Sequence, residues 1–160
     1  MRGLMLFVAG ILVGLGAQTA VAQNQVVVGL NHIGMAVPDV VEAATYYREK
    51  LGYRQAFQNT NAEGRPTSIY LQISRDTFLE LQEANAQRPV GINHYGLHVE
   101  NMNAAVAMFR ERGATVSDPT GPSAFSGAIL ANVTDLNGIR VELAELGPNS
   151  LQRKAMDGWR

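Results

Sequence analysis

The chain repeats part of its own sequence after an interval of 62 residues, and few folds accommodate such a repeat. Residues 31–37 (NHIGMAV) return as residues 93–99 (NHYGLHV), and residues 79–81 (LEL) return as residues 141–143 (VEL). Each copy therefore contains one histidine and one glutamate at matching positions. Since a duplicated unit of this kind cannot bury its apolar face alone, the repeat predicts two similar modules that pack together.

The pattern of apolar and polar residues within each copy predicts a β-α-β-β-β module. Asp39 is placed to begin a helix and Gly52 to end it. Apolar residues alternate with polar ones over residues 67–74, as in a half-buried strand. The predicted strands cover residues 26–37, 53–60, 67–74, 77–83, 92–99, 114–117, 124–133 and 139–145, and the predicted helices cover residues 40–51 and 102–112. We therefore expect an α+β fold in which two tandem modules form a curved sheet around a cavity.

The chain divides into a leader, two modules, a linker and a tail. The first module comprises residues 23–84, and a polar linker of residues 85–91 leads to the second module, residues 92–146. The tail, residues 147–160, begins with Gly-Pro-Asn and is expected to be a loosely packed extension. The linker is long enough for the modules either to pair within one chain or to be exchanged between the chains of a homodimer.

Residues 1–22 have the features of a secretory signal peptide. Arg2 provides a positive start, residues 4–15 are apolar apart from glycines, and residues 20–22 (AVA) form a small-x-small cleavage pattern. An uncleaved membrane anchor is the alternative, but the apolar run is shorter than the ~20 residues that a membrane span needs. We expect cleavage before Gln23, export to the periplasm or the medium, and no membrane attachment of the mature protein.

The composition argues against several classes of protein. Without the leader, 138 of the 160 residues remain, and removal of Arg2 leaves 12 basic side chains against 14 acidic ones. The resulting formal charge of −2, with no basic stripe, argues against a nucleic-acid partner. The chain has no cysteine, so it has neither disulfides nor an acylated lipoprotein cysteine. A single domain that binds a small molecule is the expectation.

The repeated histidines and glutamates are expected to face one cavity. Residues two apart in a strand share a face, so Glu80 points away from Leu79 and Leu81, which should pack against the helix. The residues predicted to lie on the face away from the helices are His32, Glu80, His94 and Glu142. Two imidazoles and two carboxylates suit one divalent metal ion. The glycines two positions after the histidines leave room for a ligand or for backbone to approach.

Each of these residues also has a simpler interpretation. Strand glutamates usually lie on a solvated sheet face, and a duplicated histidine can be an inherited packing or hydrogen-bonding residue. The shared spacing of all four residues, on one face, favours the metal site.

Four further residues are candidates for contact with a substrate. His98 points into the same predicted cavity, although a lone histidine is more often a hydrogen-bonded wall residue. Arg140 lies two positions before Glu142, where it either holds a substrate carboxylate or forms a surface ion pair. Tyr70 and Gln72 line the cavity in one strand register and are exposed in the other.

The sequence resembles the vicinal oxygen chelate superfamily over about residues 27–146. The resemblance rests on the β-α-β-β-β halves, on the Asn-His-x-Gly segments 31–34 and 93–96, on the helix end at 46–52 and on the Asn-Gly-x-x-x-Glu segment 137–142. This superfamily includes glyoxalase I, methylmalonyl-CoA epimerase, extradiol dioxygenases, fosfomycin-resistance proteins and bleomycin-binding proteins. The resemblance implies two βαβββ modules that surround a metal cavity.

The resemblance also implies a ligand set and a cofactor. It places the metal ligands of the superfamily on His32, Glu80, His94 and Glu142. The implied cofactor is one divalent ion of zinc, nickel, cobalt, manganese or ferrous iron. Two acidic ligands resemble the glyoxalase I set, whereas methylmalonyl-CoA epimerases typically carry glutamine at the position of Glu80. Ala36 and Ala84 replace the arginine and asparagine that contact glutathione in glyoxalases, which argues against a glutathione substrate.

The activity implied by the resemblance is that of a lyase or isomerase acting on a small oxygen-rich molecule. The metal would stabilise an oxyanion of the substrate, and Glu142 or Glu80 would serve as general base. An extradiol-type dioxygenase that uses His32, His94 and Glu142 with ferrous iron is the first alternative. A non-catalytic protein that binds a drug or metabolite is the second.

Overall fold

The computed structural model describes residues 26–160, and the predicted signal peptide at residues 1–22 lies outside that range. The first module contains β1 (Val27–Val37), α1 (Val40–Leu51), β2 (Arg54–Thr60), β3 (Pro66–Ser74) and β4 (Thr77–Glu83). The second module contains β5 (Gly91–Val99), α2 (Met102–Glu111), β6 (Thr115–Val116), β7 (Ile129–Thr134) and β8 (Arg140–Glu145). The helix α3 (Leu151–Asp157) follows. The predicted α+β class is confirmed.

The strands of residues 26–160 form one curved, open sheet with the order β2-β3-β4-β1-β5-β8-β7-β6. The modules meet edge to edge, because β1 pairs with β5 in an antiparallel orientation. Within each module the first and last strands are parallel neighbours, β1 with β4 and β5 with β8. The two modules thus pair within one chain, and a homodimer of such chains stays a prediction. The central strands carry the repeated histidines, and the strands that flank them carry the repeated glutamates.

Local hydrogen bonds set the ends of the first helix. The Asp39 carboxylate accepts hydrogen bonds from the backbone N–H groups of Val41 and Glu42, so α1 begins where the sequence predicted. Gly52 ends the helix in the left-handed region, with φ 73°, and its N–H donates to the carbonyl of Tyr47. No helix within residues 26–160 has the length and apolar character needed to cross a membrane.

The helices α1 and α2 cover one face of the sheet and bury an apolar layer on it. Leu79 and Leu81 pack with Val40 of α1, as the alternation along the strand predicted. Leu143 packs with Met102 of α2 in the second module. The other face carries the repeated polar residues and a third apolar cluster, which consists of Tyr70, Phe78, Ala128, Ala144, Leu146 and Met156. We call this third group the floor cluster.

Strand lengths in the second module differ from the prediction. A strand was expected over residues 124–133, but β7 begins only at Ile129. The preceding residues form a turn, in which the Gly127 N–H donates to the carbonyl of Ser123 at 2.8 Å and the Phe125 N–H donates to its hydroxyl at 3.3 Å. Because the Ser123 side chain bonds the backbone locally, these residues do not join the sheet.

The tail is better ordered than predicted. The expectation of a loosely packed extension is wrong, since the tail forms α3. Ser150 caps this helix, and its hydroxyl accepts a hydrogen bond from the Arg153 N–H. The Leu151 N–H donates to the carbonyl of Ser126 at 2.8 Å. Met156 is buried in the floor cluster. The helix packs on apolar residues of the sheet that are far from it in the sequence. The sequence of the tail alone therefore does not predict that it is ordered.

Candidate metal centre

Two histidines and two glutamates converge on the sheet face away from α1 and α2. The Nε2 atoms of His32 and His94 lie 3.1 Å apart, and both side chains are fully buried. Glu80 Oε2 lies 3.1 Å from His94 Nε2 and 3.8 Å from His32 Nε2. Glu142 Oε1 lies 3.5 Å from His32 Nε2. The structure therefore brings the four predicted residues to one place, and ligand atoms of His32, His94 and Glu142 all lie within 4.8 Å of one another.

The repeated glycines make room for the histidine rings. In the pairing of β1 with β5, His32 lies opposite Gly96 and His94 lies opposite Gly34. A Cβ atom added to either glycine would overlap the imidazole of the opposite module. The sequence predicted a close approach at these glycines, and the structure identifies the group that approaches. The Asn-His-x-Gly motif thus operates across the pseudo-twofold interface rather than within one copy.

The asparagines that precede the histidines orient the rings. Asn31 Oδ1 accepts a hydrogen bond from His32 Nδ1 at 2.8 Å, and Asn93 Oδ1 accepts one from His94 Nδ1. Since an amide oxygen only accepts, each Nδ1 is the donor, and each Nε2 faces the centre. Such outer contacts are typical of histidines that ligate metals. These asparagines were not predicted to have a role, and their repetition before both histidines is the feature of the sequence that indicates one.

The electrostatics of the centre fit a cation. Burial lowers the pKa of His32 to about 4, with His94 and Arg140 adding to the shift and Glu80 opposing it, so the ring is neutral at neutral pH. The Nε2 atom of this neutral ring is then an acceptor, and it lies 3.8 Å from Glu80 Oε2 and 3.5 Å from Glu142 Oε1, which are acceptors as well. A divalent cation among these atoms would remove their repulsion and satisfy each of them. The donor set present in this chain therefore fits such an ion.

The two carboxylates are held differently. Glu80 accepts a hydrogen bond from Gln82 Nε2 at 2.8 Å, whereas Glu142 accepts one from the cationic Arg140 Nη1 at 2.8 Å. Burial raises the pKa of Glu142, and Arg140 reduces this shift without cancelling it. Burial also acts to raise the pKa of Glu80, but the hydrogen bond with His94 and the nearby imidazoles outweigh it, so the pKa is lowered. Of the two roles predicted for Arg140, the structure shows an ion pair, and its partner is Glu142.

The structure decides the orientation of Tyr70 and Gln72. Both are buried on the cavity side of β3, so the register that would expose them is not adopted. The Tyr70 ring lies edge-on to His32 at a centroid distance of 6.0 Å, and its hydroxyl interacts with Glu80. Gln72 lies farther along the strand and donates to the carbonyl of Arg75 at 3.2 Å. Of these two residues, Tyr70 directly adjoins the four-residue centre and Gln72 does not.

His98 does not join the centre. It lies on β5 four residues after His94, a separation of about 13 Å along a strand. It lines a different cavity, at the end of β5 near Met156. The shared strand face was predicted correctly, but distance along the strand separates the two histidines.

The centre lies between a polar pocket and an apolar cluster. The pocket has a volume of about 570 Å³ and is lined by Gln82, Arg88, Asn93 and Arg140, among others. Gln82 and Arg140 hydrogen-bond the carboxylates of the centre. The floor cluster adjoins the centre through Tyr70, whose ring centroid lies 6.0 Å from that of His32. The repeat interval equates Gln82 with Ala144 and Arg140 with Phe78, so the pseudo-symmetry is broken at these positions. A ligand would meet cations at one end and apolar side chains at the other.

Comparison with known proteins identifies the family. The profile of the Glyoxalase/Bleomycin resistance protein/Dioxygenase superfamily matches residues 31–131, and the chain belongs to this superfamily.

Among its relatives, the ethylmalonyl-CoA/methylmalonyl-CoA epimerase of Cereibacter sphaeroides is 27% identical over 130 residues, which cover 73% of this chain and 97% of the epimerase. The probable chloroplastic lactoylglutathione lyase of Arabidopsis thaliana is 24% identical over 73% of this chain and 35% of its own length. The crystal structure of methylmalonyl-CoA epimerase from Mycobacterium tuberculosis has the same fold, with a TM-score of 0.64, 22% identity, and coverage of 77% of this chain and 91% of that one.

Proposed function

We propose that this protein is a metal-dependent isomerase that moves a proton on a carbon atom next to a carbonyl group. The observation that carries the proposal is the pair of buried imidazoles, 3.1 Å apart at Nε2, with a carboxylate on each side. Relatives named as epimerases of acyl-CoA thioesters support this choice of reaction over the other activities of the superfamily.

The residues that would hold the cation are His32, Glu80, His94 and Glu142. When bound, the cation supplies Lewis acidity that stabilises negative charge on the carbonyl oxygen of the substrate. Asn31 and Asn93 keep the two histidines in the ligating tautomer through their Nδ1 hydrogen bonds.

Proton transfer falls to the two carboxylates. Glu80 on β4 and Glu142 on β8 flank the central histidine strands from opposite sides. One ionised carboxylate takes the proton as the C–H bond breaks, and the bonding electron pair moves into the carbonyl to give an enolate. The other carboxyl group returns a proton to the opposite side of the same carbon. Each turnover thus removes one proton from the carbon and adds one. In the reverse reaction the two glutamates exchange roles.

The shape of the cavity supports an anionic substrate with a short apolar group. Arg140 and Arg88 line the polar pocket. Arg140 Nη1 pairs with Glu142, and the remaining N–H groups of the two guanidinium groups can bond a substrate carboxylate. Tyr70 and Phe78 lie at the other end, where an alkyl group would be buried. Methylmalonyl and ethylmalonyl thioesters have both features and are the first compounds to test.

The test is exchange of the substrate proton with solvent. The chelated protein is reloaded separately with zinc, nickel, cobalt, manganese or ferrous ions and incubated in deuterium oxide with methylmalonyl thioesters of CoA and of N-acetylcysteamine. We expect metal-dependent deuterium incorporation at the α carbon by NMR, lost in Glu80→Gln and Glu142→Gln. Stoichiometric metal binding without exchange in any of these substrates would refute the proposed reaction but not the metal centre.

A ring-cleaving dioxygenase is the second candidate, because one observation favours it. His32, His94 and Glu142 form a compact group of two histidines and one carboxylate, the arrangement used by non-haem ferrous oxygenases. That function predicts oxygen consumption when the ferrous protein is mixed with a catechol. The isomerase predicts none, so an oxygen electrode distinguishes the two.

A further inference from the structure

A second cavity lies at the end of β5 that is remote from the polar pocket. It has a volume of about 290 Å³ and is enclosed by β1, the turn between β3 and β4, the end of β5, and α3. His98 lies on its wall, about 13 Å along β5 from His94. This volume is at the lower limit for ligand sites, about 300 Å³, so any ligand must be small.

His98 offers unused hydrogen-bonding capacity to this cavity. Only 6% of the residue is exposed, yet no side chain or backbone group in residues 26–160 hydrogen-bonds its ring. Its nitrogens are not among the fully enclosed polar atoms that lack partners, so they open onto the cavity. Burial and the charge of Arg153 lower the pKa of His98 against the opposing carboxylates of Glu100 and Asp76. The neutral ring therefore has one donor and one acceptor available.

Four charged side chains line the cavity, and two of them form no ion pair within the described residues. Arg75 and Asp76 neighbour one another, with Arg75 Nε 3.8 Å from Asp76 Oδ1. Arg153 and Glu100 also line the cavity, but neither side chain forms an ion pair with any residue of the described range 26–160. Both signs of charge are thus available to a ligand, next to a buried hydrogen-bonding group.

The remaining wall is apolar. Val28 and Leu30 of β1 and Met156 of α3 line it. Val28 and Leu30 are 54% and 41% exposed, so a ligand that covered them would gain from apolar burial. A simple inorganic anion would use none of this surface and would face two carboxylates.

We propose that this cavity binds a small zwitterion with one carboxylate, one ammonium group and a short alkyl group. Arg153 pairs with the carboxylate, Glu100 pairs with the ammonium group, and His98 hydrogen-bonds the polar end. The alkyl group packs on Val28, Leu30 and Met156. An α-amino acid with a short apolar side chain has this chemistry. The site is independent of the proposed isomerase activity, because it shares no residue with the metal centre.

The test uses L-valine and two analogues that each lack one charge. Isovalerate lacks the ammonium group, and isobutylamine lacks the carboxylate. We expect L-valine to bind saturably by titration calorimetry and to shift the methyl NMR signals of Leu30 and Met156. Each analogue should bind at least about tenfold more weakly, since each loses one ion pair within a partly buried site.

Variants of the charged residues complete the test. Arg153→Met and Glu100→Gln should each weaken L-valine binding at least about tenfold. Arg48→Met, on the exposed surface of α1, is the matched control and should bind as the wild type does. Circular dichroism tests whether each variant is folded. If Arg153→Met or Glu100→Gln does not fold, His98→Asn replaces it and should also weaken L-valine binding. The proposal is wrong if L-alanine, L-valine and L-methionine all fail to saturate the wild-type protein, or if isovalerate binds as tightly as L-valine.

Discussion

Replacement of Gly96 by alanine should weaken metal binding, because the new methyl group and the His32 ring would occupy the same space. A Cβ atom on Gly96 would lie 2.8 Å from His32 Nε2 and would overlap the neighbouring ring atoms. Carbon atoms pack at about 3.5–4.0 Å, so the ring would have to retreat by more than about 1 Å. Metal–ligand distances tolerate only about 0.2 Å. Loss of His32 from the centre should lower the affinity at least about 100-fold, or about 2.7 kcal/mol.

Titration of the chelated protein with cobalt and zinc ions measures this loss. Gly29→Ala is the matched control, because Gly29 lies in the same pair of strands and an added Cβ there meets nothing within 4 Å. The visible spectrum of the cobalt-loaded protein should also change in Gly96→Ala, since a nitrogen ligand is lost. If folded Gly96→Ala bound cobalt with the affinity of the wild type, the assignment of His32 as a ligand would be refuted.

Three further predictions test the centre and its surroundings. Asn93→Leu removes the acceptor for His94 Nδ1 and should lower metal affinity about 10–100-fold in the same titration. Metal-free protein should lose stability as the pH falls from 6.5 to about 4. The pKa of His32 is about 4 in the folded state, against its ordinary value of 6.5. The unfolded chain therefore takes up the proton first, and protonation favours unfolding. That linkage is worth roughly 3 kcal/mol, and urea denaturation should show a flatter pH profile for His32→Gln. Phe78→Ala should cost about 3–5 kcal/mol in urea, because Phe78 is fully buried in the floor cluster, whereas Leu136→Ala at a 95% exposed position should cost little. Equal losses for these last two variants would contradict the assigned packing.

Local patterns predicted most of the fold because the interactions behind them are local. Asp39 and Gly52 bound α1 at the expected positions, since a capping carboxylate and a left-handed glycine act within one turn of the helix. The alternation along β4 placed Leu79 and Leu81 against α1, because successive residues of a strand face opposite sides.

The predictions failed where a distant contact decides the structure. The tail was expected to be loose, yet Met156 packs against Phe78 and its neighbours, which are far from it in the sequence. His98 was expected in the main cavity, but its position near the end of β5 places it on the wall of another one. Neither outcome follows from the periodicity of the segment that contains the residue.

The sequence by itself determined that two histidines and two glutamates lie on one side of a duplicated sheet, because residue spacing sets the face of a strand. Only the tertiary structure decided that each imidazole passes over a glycine of the other module, since this depends on the register between β1 and β5. Gln82 and Arg140, which hydrogen-bond the two glutamates, both line the polar pocket. Ala144 and Phe78, at the equivalent positions of the repeat, pack with Met156. That polarity depends on the antiparallel pairing of β1 with β5, which brings the two polar residues to the same end of the centre, and α3 then packs on the apolar end. Both contacts join residues far apart in the chain.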